Sequence, residues 1–85
     1  MSLKQKWKEA KSMNPDTILF VKIGNFYELF GTDADVFGKA CGLTIGKTRD
    51  NMSHTGFASS SFSAIMSTFR KNVKGTRTTF KFIKN

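Results

Sequence analysis

The segment Thr17-Ile18-Leu19-Phe20-Val21 constrains the fold more than any other part of this sequence, because it is rich in β-branched residues and almost entirely apolar. Such a segment favours a β-strand, and its lack of polar alternation indicates a strand that is covered on both faces. With 85 residues the chain forms one small domain, which buries little more than about 60% of its unfolded surface. We therefore expect this strand to lie inside a sheet with packed structure on each side.

The same apolar run is too short to span a membrane. From Ile18 to Val21 it falls far below the roughly 20 residues that cross a bilayer. No apolar stretch of signal-peptide type follows Lys4, Lys6 and Lys8. We therefore expect no membrane partner and an intracellular location, in the cytoplasm or nucleoid of a bacterium or in the nucleus or an organelle otherwise.

Hydrophobic periodicity and turn residues predict elements in the order α-β-β-α-β-β-α-β. Leu3, Trp7 and Ala10 form the apolar stripe of a first helix, which ends at Asn14-Pro15 because proline disfavours a helical residue before it. This order predicts an α+β fold, a small mixed β-sheet packed with about three helices. The predicted helices cover residues 2–14, a segment from the cap Thr32 to about Cys41 with Gly42 as its C-cap, and a segment capped by residues 59–61 and ended by Gly75. The predicted strands cover residues 17–21, 26–30, 43–49, 52–57 and 76–83.

The counts of reactive residues exclude most enzymatic chemistry. One Cys and one His leave no Ser/His/Asp or Cys/His constellation and no structural zinc site. We therefore expect a domain that is not an enzyme and holds no metal or cofactor, with Cys41 as a small buried apolar residue. The segment from Gly42 to Thr48 resembles a phosphate-binding P-loop but is one residue too short, and a turn rather than a helix is predicted after it. Nucleotide binding at Gly46-Lys47-Thr48 is the enzymatic alternative.

The charge of the chain suits an anionic partner. There are 14 basic and 6 acidic residues, which give a net charge of +8, and residues 70–85 contain no acidic group. Such an excess attracts phosphates, acidic proteins or anionic lipid surfaces, and it is also typical of a surface that only keeps a domain soluble. Charge alone leaves these alternatives open. The basic residues of this last segment are Arg70, Lys71, Lys74, Arg77, Lys81 and Lys84.

The segment from Gly24 to Phe30 brings an aromatic ring and a carboxylate together. In a strand, Phe26 and Glu28 point to one face, while Tyr27 and Leu29 point to the other. Because a buried strand precedes the segment, we expect Tyr27 and Leu29 to fill the core. Phe26 and Glu28 then have two possible interpretations. They are either a recognition pair on a basic domain, or one exposed Phe and an ordinary surface Glu on an edge strand.

This segment closely resembles the signature of the MutS N-terminal domain, which has a glycine and a variable polar residue followed by Phe-Tyr-Glu and two apolar residues. Here the segment reads Lys22-Ile23-Gly24-Asn25-Phe26-Tyr27-Glu28-Leu29-Phe30. The resemblance covers nearly the whole chain, including the Asn14-Pro15 break and the strand motif His54-Thr55-Gly56-Phe57. The loop after Gly56 departs from the family pattern, which often has a proline and then a histidine there. Because the chain stops at Asn85, we expect residues 1–85 to be a single mismatch-recognition domain, excised from a longer protein or free-standing.

The resemblance implies that the domain recognises DNA mismatches and initiates mismatch repair. Phe26 is then expected to enter from the minor groove and stack on a mispaired or unpaired base, and Glu28 to hydrogen-bond a displaced base. Resemblance and chain position also nominate residues for contacts with the DNA backbone, namely Asn25, Lys47, Arg49, Met52, Ser53 and His54.

The implied partners are double-stranded DNA with mismatches or small insertion/deletion loops and a second subunit in a MutS-type homo- or heterodimer. ATP and Mg²⁺ are implied only for an ATPase domain elsewhere in the parent protein. The alternative is a basic protein-interaction module of a MutS-like complex that does not itself contact the mismatch. His54, similarly, is either a backbone contact or a surface or half-buried polar residue.

Overall fold

The structure, a computed structural model, describes residues 2–74 and 78–84. Within them the elements follow the predicted order, and the α+β class is confirmed. Ser2 begins the first helix by accepting a hydrogen bond from the N–H of Gln5 at 3.2 Å, as N-cap residues do. The helices are α1 (Leu3–Met13), α2 (Gly31–Cys41) and α3 (Phe62–Asn72), and a short 3₁₀ turn, Ser59–Ser61, precedes α3. The strands are β1 (Thr17–Ile23), β2 (Phe26–Phe30), β3 (Gly46–Lys47), β4 (Ser53–Ala58) and β5 (Thr79–Lys84).

These strands form a mixed sheet in the order β3-β4-β2-β1-β5. β1 and β5 run parallel, and the other neighbours run antiparallel. Leu19, Phe20 and Val21 of β1 are fully buried, so the prediction of a strand covered on both faces is confirmed. Phe20 packs with residues of α2 and α3 on one face, whereas Leu19 and Val21 pack with α1 on the other.

An aromatic core fills the face of the sheet that α2 and α3 cover. The ring of Phe20 contacts that of Phe37 edge to face with centroids 5.0 Å apart, and Phe37 stacks on Phe69 at 5.0 Å. Aromatic pairs prefer such edge-on and offset arrangements. Leu29 is fully buried here and Tyr27 packs against the same cluster, so the prediction that both fill the core is confirmed.

A smaller core on the other face attaches α1 to the sheet. Trp7 packs with Leu19, Val21 and Phe30, and each of these residues is at most 7% exposed. The prediction that Trp7 lies on a packing stripe is therefore confirmed. Half-buried Met52 lies against this cluster.

The start of α2 differs from the prediction. Thr32 is not its N-cap, because the helix begins at Gly31, Phe30 occupies the N-cap position, and no side chain makes a capping bond there. Gly31 has a φ of +57°, a conformation that suits glycine, and it turns the chain directly from β2 into the helix. Asp33 in the first turn points inward and accepts hydrogen bonds from α1 and β1.

β3 is shorter than the predicted strand 43–49 and keeps only Gly46–Lys47. The N–H of Leu43 instead bonds the carbonyl of Gly38 in α2 at 2.9 Å. The carbonyl of Thr44 accepts a hydrogen bond from a β4 hydroxyl at 2.8 Å. Backbone groups engaged in this way do not extend the β3–β4 ladder.

The helix ends give mixed outcomes. Gly42 closes α2 with a φ of +69°, as predicted. Ser61 occupies the N-cap position of α3, but its side chain makes no capping hydrogen bond, so the predicted serine cap is wrong in its chemistry. Gly75, predicted to end α3, and residues 76–77, predicted to begin the last strand, lie outside the described residues.

Candidate functional site

A tight turn at Gly24-Asn25 presents Phe26 at one end of the sheet. Phe26 begins β2 and pairs with Ile23 of β1 on one side and Ala58 of β4 on the other. The carbonyl of the turn residue Asn25 accepts a hydrogen bond at 2.7 Å from the N–H that follows β4, which fixes the turn against that strand. Phe26 is nevertheless 53% exposed. A well-held backbone thus carries an aromatic side chain that projects into solvent.

Exposure falls along the face of β2 that is directed toward α1. Phe26 is 53% exposed, the side chain of Glu28 is 19% exposed, and Phe30 is 4% exposed. Phe26 and Glu28 share this face, as the strand alternation predicted. β2 lies between β1 and β4, so it is not the edge strand that the alternative interpretation required.

Glu28 is held by a residue of the neighbouring strand. Its Oε1 atom accepts a close hydrogen bond from Nε2 of His54 on β4. The imidazole ring of His54 stacks on Phe30, with centroids 5.0 Å apart and planes 23° from parallel. His54 is therefore a half-buried polar residue, as one of the two alternatives predicted. Its partner, Glu28, was not predicted from the sequence.

Gly56 provides the space for the Glu28 carboxylate. The two residues lie directly opposite each other in the β2–β4 ladder. A Cβ atom at position 56 would collide with Oε2 of Glu28 and would lie 2.9 Å from its Cδ. This role cannot be predicted from the sequence, since it depends on the register between strands that are distant along the chain.

The residues predicted to contact the DNA backbone are divided between the two faces of the sheet. Lys47 pairs with Ser53, and its Nζ donates to the hydroxyl of Ser53 at 3.0 Å. Successive residues of a strand point to opposite faces, so Lys47 and Ser53 lie on the face opposite His54 and Glu28. Asn25 is exposed in the turn beside Phe26.

The loop between β3 and β4 carries the remaining candidate, Arg49, which is exposed. Asp50 beside it accepts hydrogen bonds from Nζ of Lys4 in α1 and from the hydroxyl of Thr48 at 2.7 Å. The Lys4 hydrogen bond, reinforced by that of Thr48, holds the pKa of Asp50 well below its ordinary value. The loop is therefore tied to α1, and Arg49 is presented next to an anchored residue.

Within residues 2–74 and 78–84, no three His, Cys, Asp or Glu side chains are grouped to hold a metal ion, and no helix is long and apolar enough to cross a membrane. Gly46-Lys47 lies in β3 rather than at a helix start, so this segment lacks the geometry of a P-loop. Cys41 is half-buried, and burial raises the pKa of its thiol to about 11.

The family model for MutS domain I matches residues 1–77. The chain belongs to the MutS domain I family. Among similar proteins, the probable DNA mismatch repair protein Msh6 of Drosophila melanogaster is 44% identical over 58 residues, which is 68% of this chain. The DNA mismatch repair protein MutS of Rhizobium meliloti is 46% identical over 44 residues, and that of Rhodopseudomonas palustris is 42% identical over 43 residues, which are 52% and 51% of this chain.

This MutS domain spans about 5% of the length of each of these relatives. The match through residue 77 includes the Phe26–Phe30 strand, the His54 strand and α3. The resemblance read from the sequence is therefore confirmed at the level of the family.

Proposed function

We propose that this MutS domain recognises mispaired or unpaired bases in duplex DNA and so contributes to the initiation of mismatch repair. The observation that carries the proposal is Phe26, which projects 53% exposed from a central strand beside the Glu28 carboxylate. Membership of the MutS domain I family and a net charge of +8 support the same conclusion.

Phe26 is proposed to act as a wedge that enters the minor groove. Inserting an apolar ring between base steps costs a few kcal/mol of unstacking and kinks the duplex. A mispaired or unpaired base is already weakly stacked, so the cost of insertion is smaller there. The anchored Gly24-Asn25 turn supports this role, because a wedge on a fixed backbone loses little conformational entropy on insertion.

Glu28 is proposed to discriminate rather than to attract. A carboxylate is repelled by DNA phosphates, so it weakens binding to every duplex that offers it no partner. A base displaced by the wedge can donate a hydrogen bond to the carboxylate and offset that repulsion. Glu28 lies on the same face as Phe26 and two residues along β2, which supports joint action on one base pair.

The affinity for DNA is proposed to come from phosphate contacts, which supply most of the binding free energy in such complexes. Asn25, Lys47 and Arg49 are exposed and are the proposed contacts, Lys47 from the face of the sheet opposite Glu28. Met52 packs against the α1 core, Ser53 accepts a hydrogen bond from Lys47, and His54 bonds Glu28. We therefore propose that these three predicted contacts hold their neighbours in place.

The proposed ligands are duplexes with mismatches or small insertion/deletion loops, bound within a homo- or heterodimer of the parent protein. The domain itself is proposed to have no catalytic activity, and ATP and Mg²⁺ are assigned to an ATPase domain elsewhere in that parent. This function also places the protein in the compartment that holds the DNA it repairs.

Equilibrium binding to labelled duplexes tests the proposal. The ratio of affinities for G·T-mismatched and matched duplexes is measured for the unsubstituted protein and for two variants, Phe26→Ala and Phe82→Ala. The second variant removes a similarly exposed ring (48%) from β5. We expect Phe26→Ala to abolish the mismatch preference and Phe82→Ala to keep it. An undiminished preference in Phe26→Ala would contradict the proposal.

A second candidate function is a protein-interaction module that leaves the mismatch to another subunit. It is favoured by exposed basic residues on α3 and β5, far along the chain from Phe26. Amide chemical shifts on addition of mismatched DNA separate the two functions. Changes centred on residues 24–30 support mismatch reading, and changes confined to α3 and β5 support the module. The basic residues in question are Arg70 and Lys71 on α3 and Lys81 and Lys84 on β5, and Lys74 follows α3.

A further inference from the structure

We infer that His54, together with Gly56, positions the carboxylate of Glu28 for base recognition. This inference rests on the proposed function and deepens it by assigning a specificity-determining role to β4. Glu28 lies on β2, and its two carboxylate oxygens meet two different residues of the neighbouring strand.

His54 fixes one oxygen. Its Nε2 atom donates to Oε1 of Glu28, and an ionised carboxylate can only accept, so Nε2 carries the proton of this bond. The ring cannot turn away freely, because it stacks on Phe30, which is 4% exposed. A donor on a packed ring is pre-oriented in a way that a flexible lysine or water molecule is not.

Gly56 determines where the other oxygen lies. Oε2 of Glu28 lies so close to the position of a Cβ atom at residue 56 that the two atoms would collide. Any other residue would push the carboxylate away from β4 or break its bond to His54. Because a glycine has no side chain, it places no donor of its own beside Oε2, and this oxygen is the one assigned to a displaced base.

This arrangement reduces the entropic cost of recognition. A free glutamate side chain rotates about three bonds, and ordering it on binding lowers affinity. His54 and Gly56 order the carboxylate before DNA arrives, in a part-buried hydrogen bond in which the side chain of Glu28 is 19% exposed and that of His54 is 39% exposed. The benefit falls on the mismatched complex, in which the carboxylate has a partner.

Two substitutions at one position separate the hydrogen bond from the packing. His54→Phe keeps a ring on Phe30 but removes the donor, whereas the amide of His54→Gln reaches about the position of Nε2 and restores a donor. The mismatched-to-matched affinity ratio is measured for both, with Phe26→Ala, Glu28→Gln and the double variant Glu28→Gln/His54→Phe in the same assay. Urea midpoints confirm that each variant folds.

We expect His54→Phe to lower the ratio roughly three- to tenfold, the value of ordering one flexible side chain. His54→Gln should recover most of that loss, and the double variant should discriminate no worse than Glu28→Gln alone. If Phe26→Ala loses the preference but His54→Phe keeps it, the inference is overturned and the proposed function stands. If Phe26→Ala keeps the preference, the proposed function itself fails.

A spectroscopic arm needs no DNA and tests the positioning directly. The carboxyl carbon of Glu28 is observed by ¹³C NMR in the unsubstituted protein and in both His54 variants. We expect its resonance to move in His54→Phe and to stay near the parent position in His54→Gln. A Glu28 resonance that is the same in all three proteins would overturn the inference, whatever the DNA assay shows.

Discussion

The indole Nε1 of Trp7 donates a hydrogen bond to Oδ2 of Asp33 at 2.9 Å, across 26 positions of the chain. The same carboxylate accepts from the backbone N–H of Leu19 at 3.1 Å and from Nζ of Lys11 at 2.7 Å. Asp33 is 3% exposed, and its partners belong to α1 and β1. One buried carboxylate therefore connects the first helix, the first strand and the start of α2. In the sequence, α2 follows immediately after β2, the strand that carries Phe26.

Asp33→Asn is expected to destabilise the domain by about 2–3 kcal/mol. The substitution leaves Lys11 without its anionic partner and weakens the bonds from Trp7 and Leu19, and such losses are costly for groups removed from water. Urea unfolding measures the change in the free energy of unfolding. Asp35→Asn, an exposed position on the same helix, is the control and should change it by less than about 0.5 kcal/mol. Equal effects of the two substitutions would argue against the connecting role of Asp33.

Gly31→Ala is expected to destabilise the domain more than Gly42→Ala. Both glycines have positive φ, +57° and +69°, so both substitutions add backbone strain of about 1–2 kcal/mol. Only at Gly31 does the added Cβ also meet the indole of Trp7, at 2.6 Å, whereas at Gly42 it meets no atom of the described residues within 4 Å. Overpacking adds roughly 1–3 kcal/mol. Because Trp7 is the single tryptophan, its fluorescence should shift in Gly31→Ala only, and a shift in both would count against this explanation.

Phe26→Ala and Phe30→Ala are expected to affect stability very differently, although they lie on the same face of β2. Phe30 is 4% exposed in the α1 core, so its truncation should cost about 3–5 kcal/mol. Phe26 is 53% exposed, so its truncation should cost less than about 1 kcal/mol. Thermal or urea unfolding of the two variants gives the comparison. A large loss of stability in Phe26→Ala would indicate a packing role in place of the proposed wedge.

Cys41 is expected to react slowly with alkylating reagents in the folded protein. Burial raises the pKa of its thiol from 9.0 to about 11, so at a pH below both values the folded state holds about 100 times less reactive thiolate than the unfolded chain. The chain has one cysteine, and therefore the alkylation rate near neutral pH, with and without denaturant, reports on this thiol alone. Similar rates in the two states would contradict the raised pKa.

The element order and both faces of β2 could be predicted because they depend on local patterns. The unbroken apolar run at Thr17 to Val21 requires cover on both sides, and the alternation from Phe26 to Phe30 assigns each side chain to a face. The structure confirms both predictions. The Thr32 cap failed because Gly31, with its positive φ, lets the helix begin immediately after β2.

The contacts between residues that are distant along the chain could not be predicted, because local sequence patterns do not determine strand register or the packing of helices on the sheet. Nothing in the sequence pairs His54 with Glu28, which lies 26 positions away, or places Lys47 on the opposite face of the sheet. A two-residue strand, β3, sets the register of Lys47, and its short length follows from bonds that Leu43 and Thr44 make elsewhere. The pair Phe26 and Glu28 could thus be predicted from the sequence, whereas His54 and Gly56, which hold Glu28 in place, could not.

The close approach of Glu28 to Gly56 also has an evolutionary consequence. A side chain at position 56 and a glutamate at position 28 compete for the same volume, so position 56 cannot gain a side chain while Glu28 keeps its place. Relatives that keep Glu at position 28 should keep Gly at position 56. Ala or Ser should occur at position 56 only where that carboxylate is absent, with a small shift of the carbonyl oxygen of Tyr27, which lies 3.0 Å from the added Cβ atom. A survey of aligned sequences can therefore measure, without any experiment on this chain, how strongly selection has acted on the placement of one carboxylate.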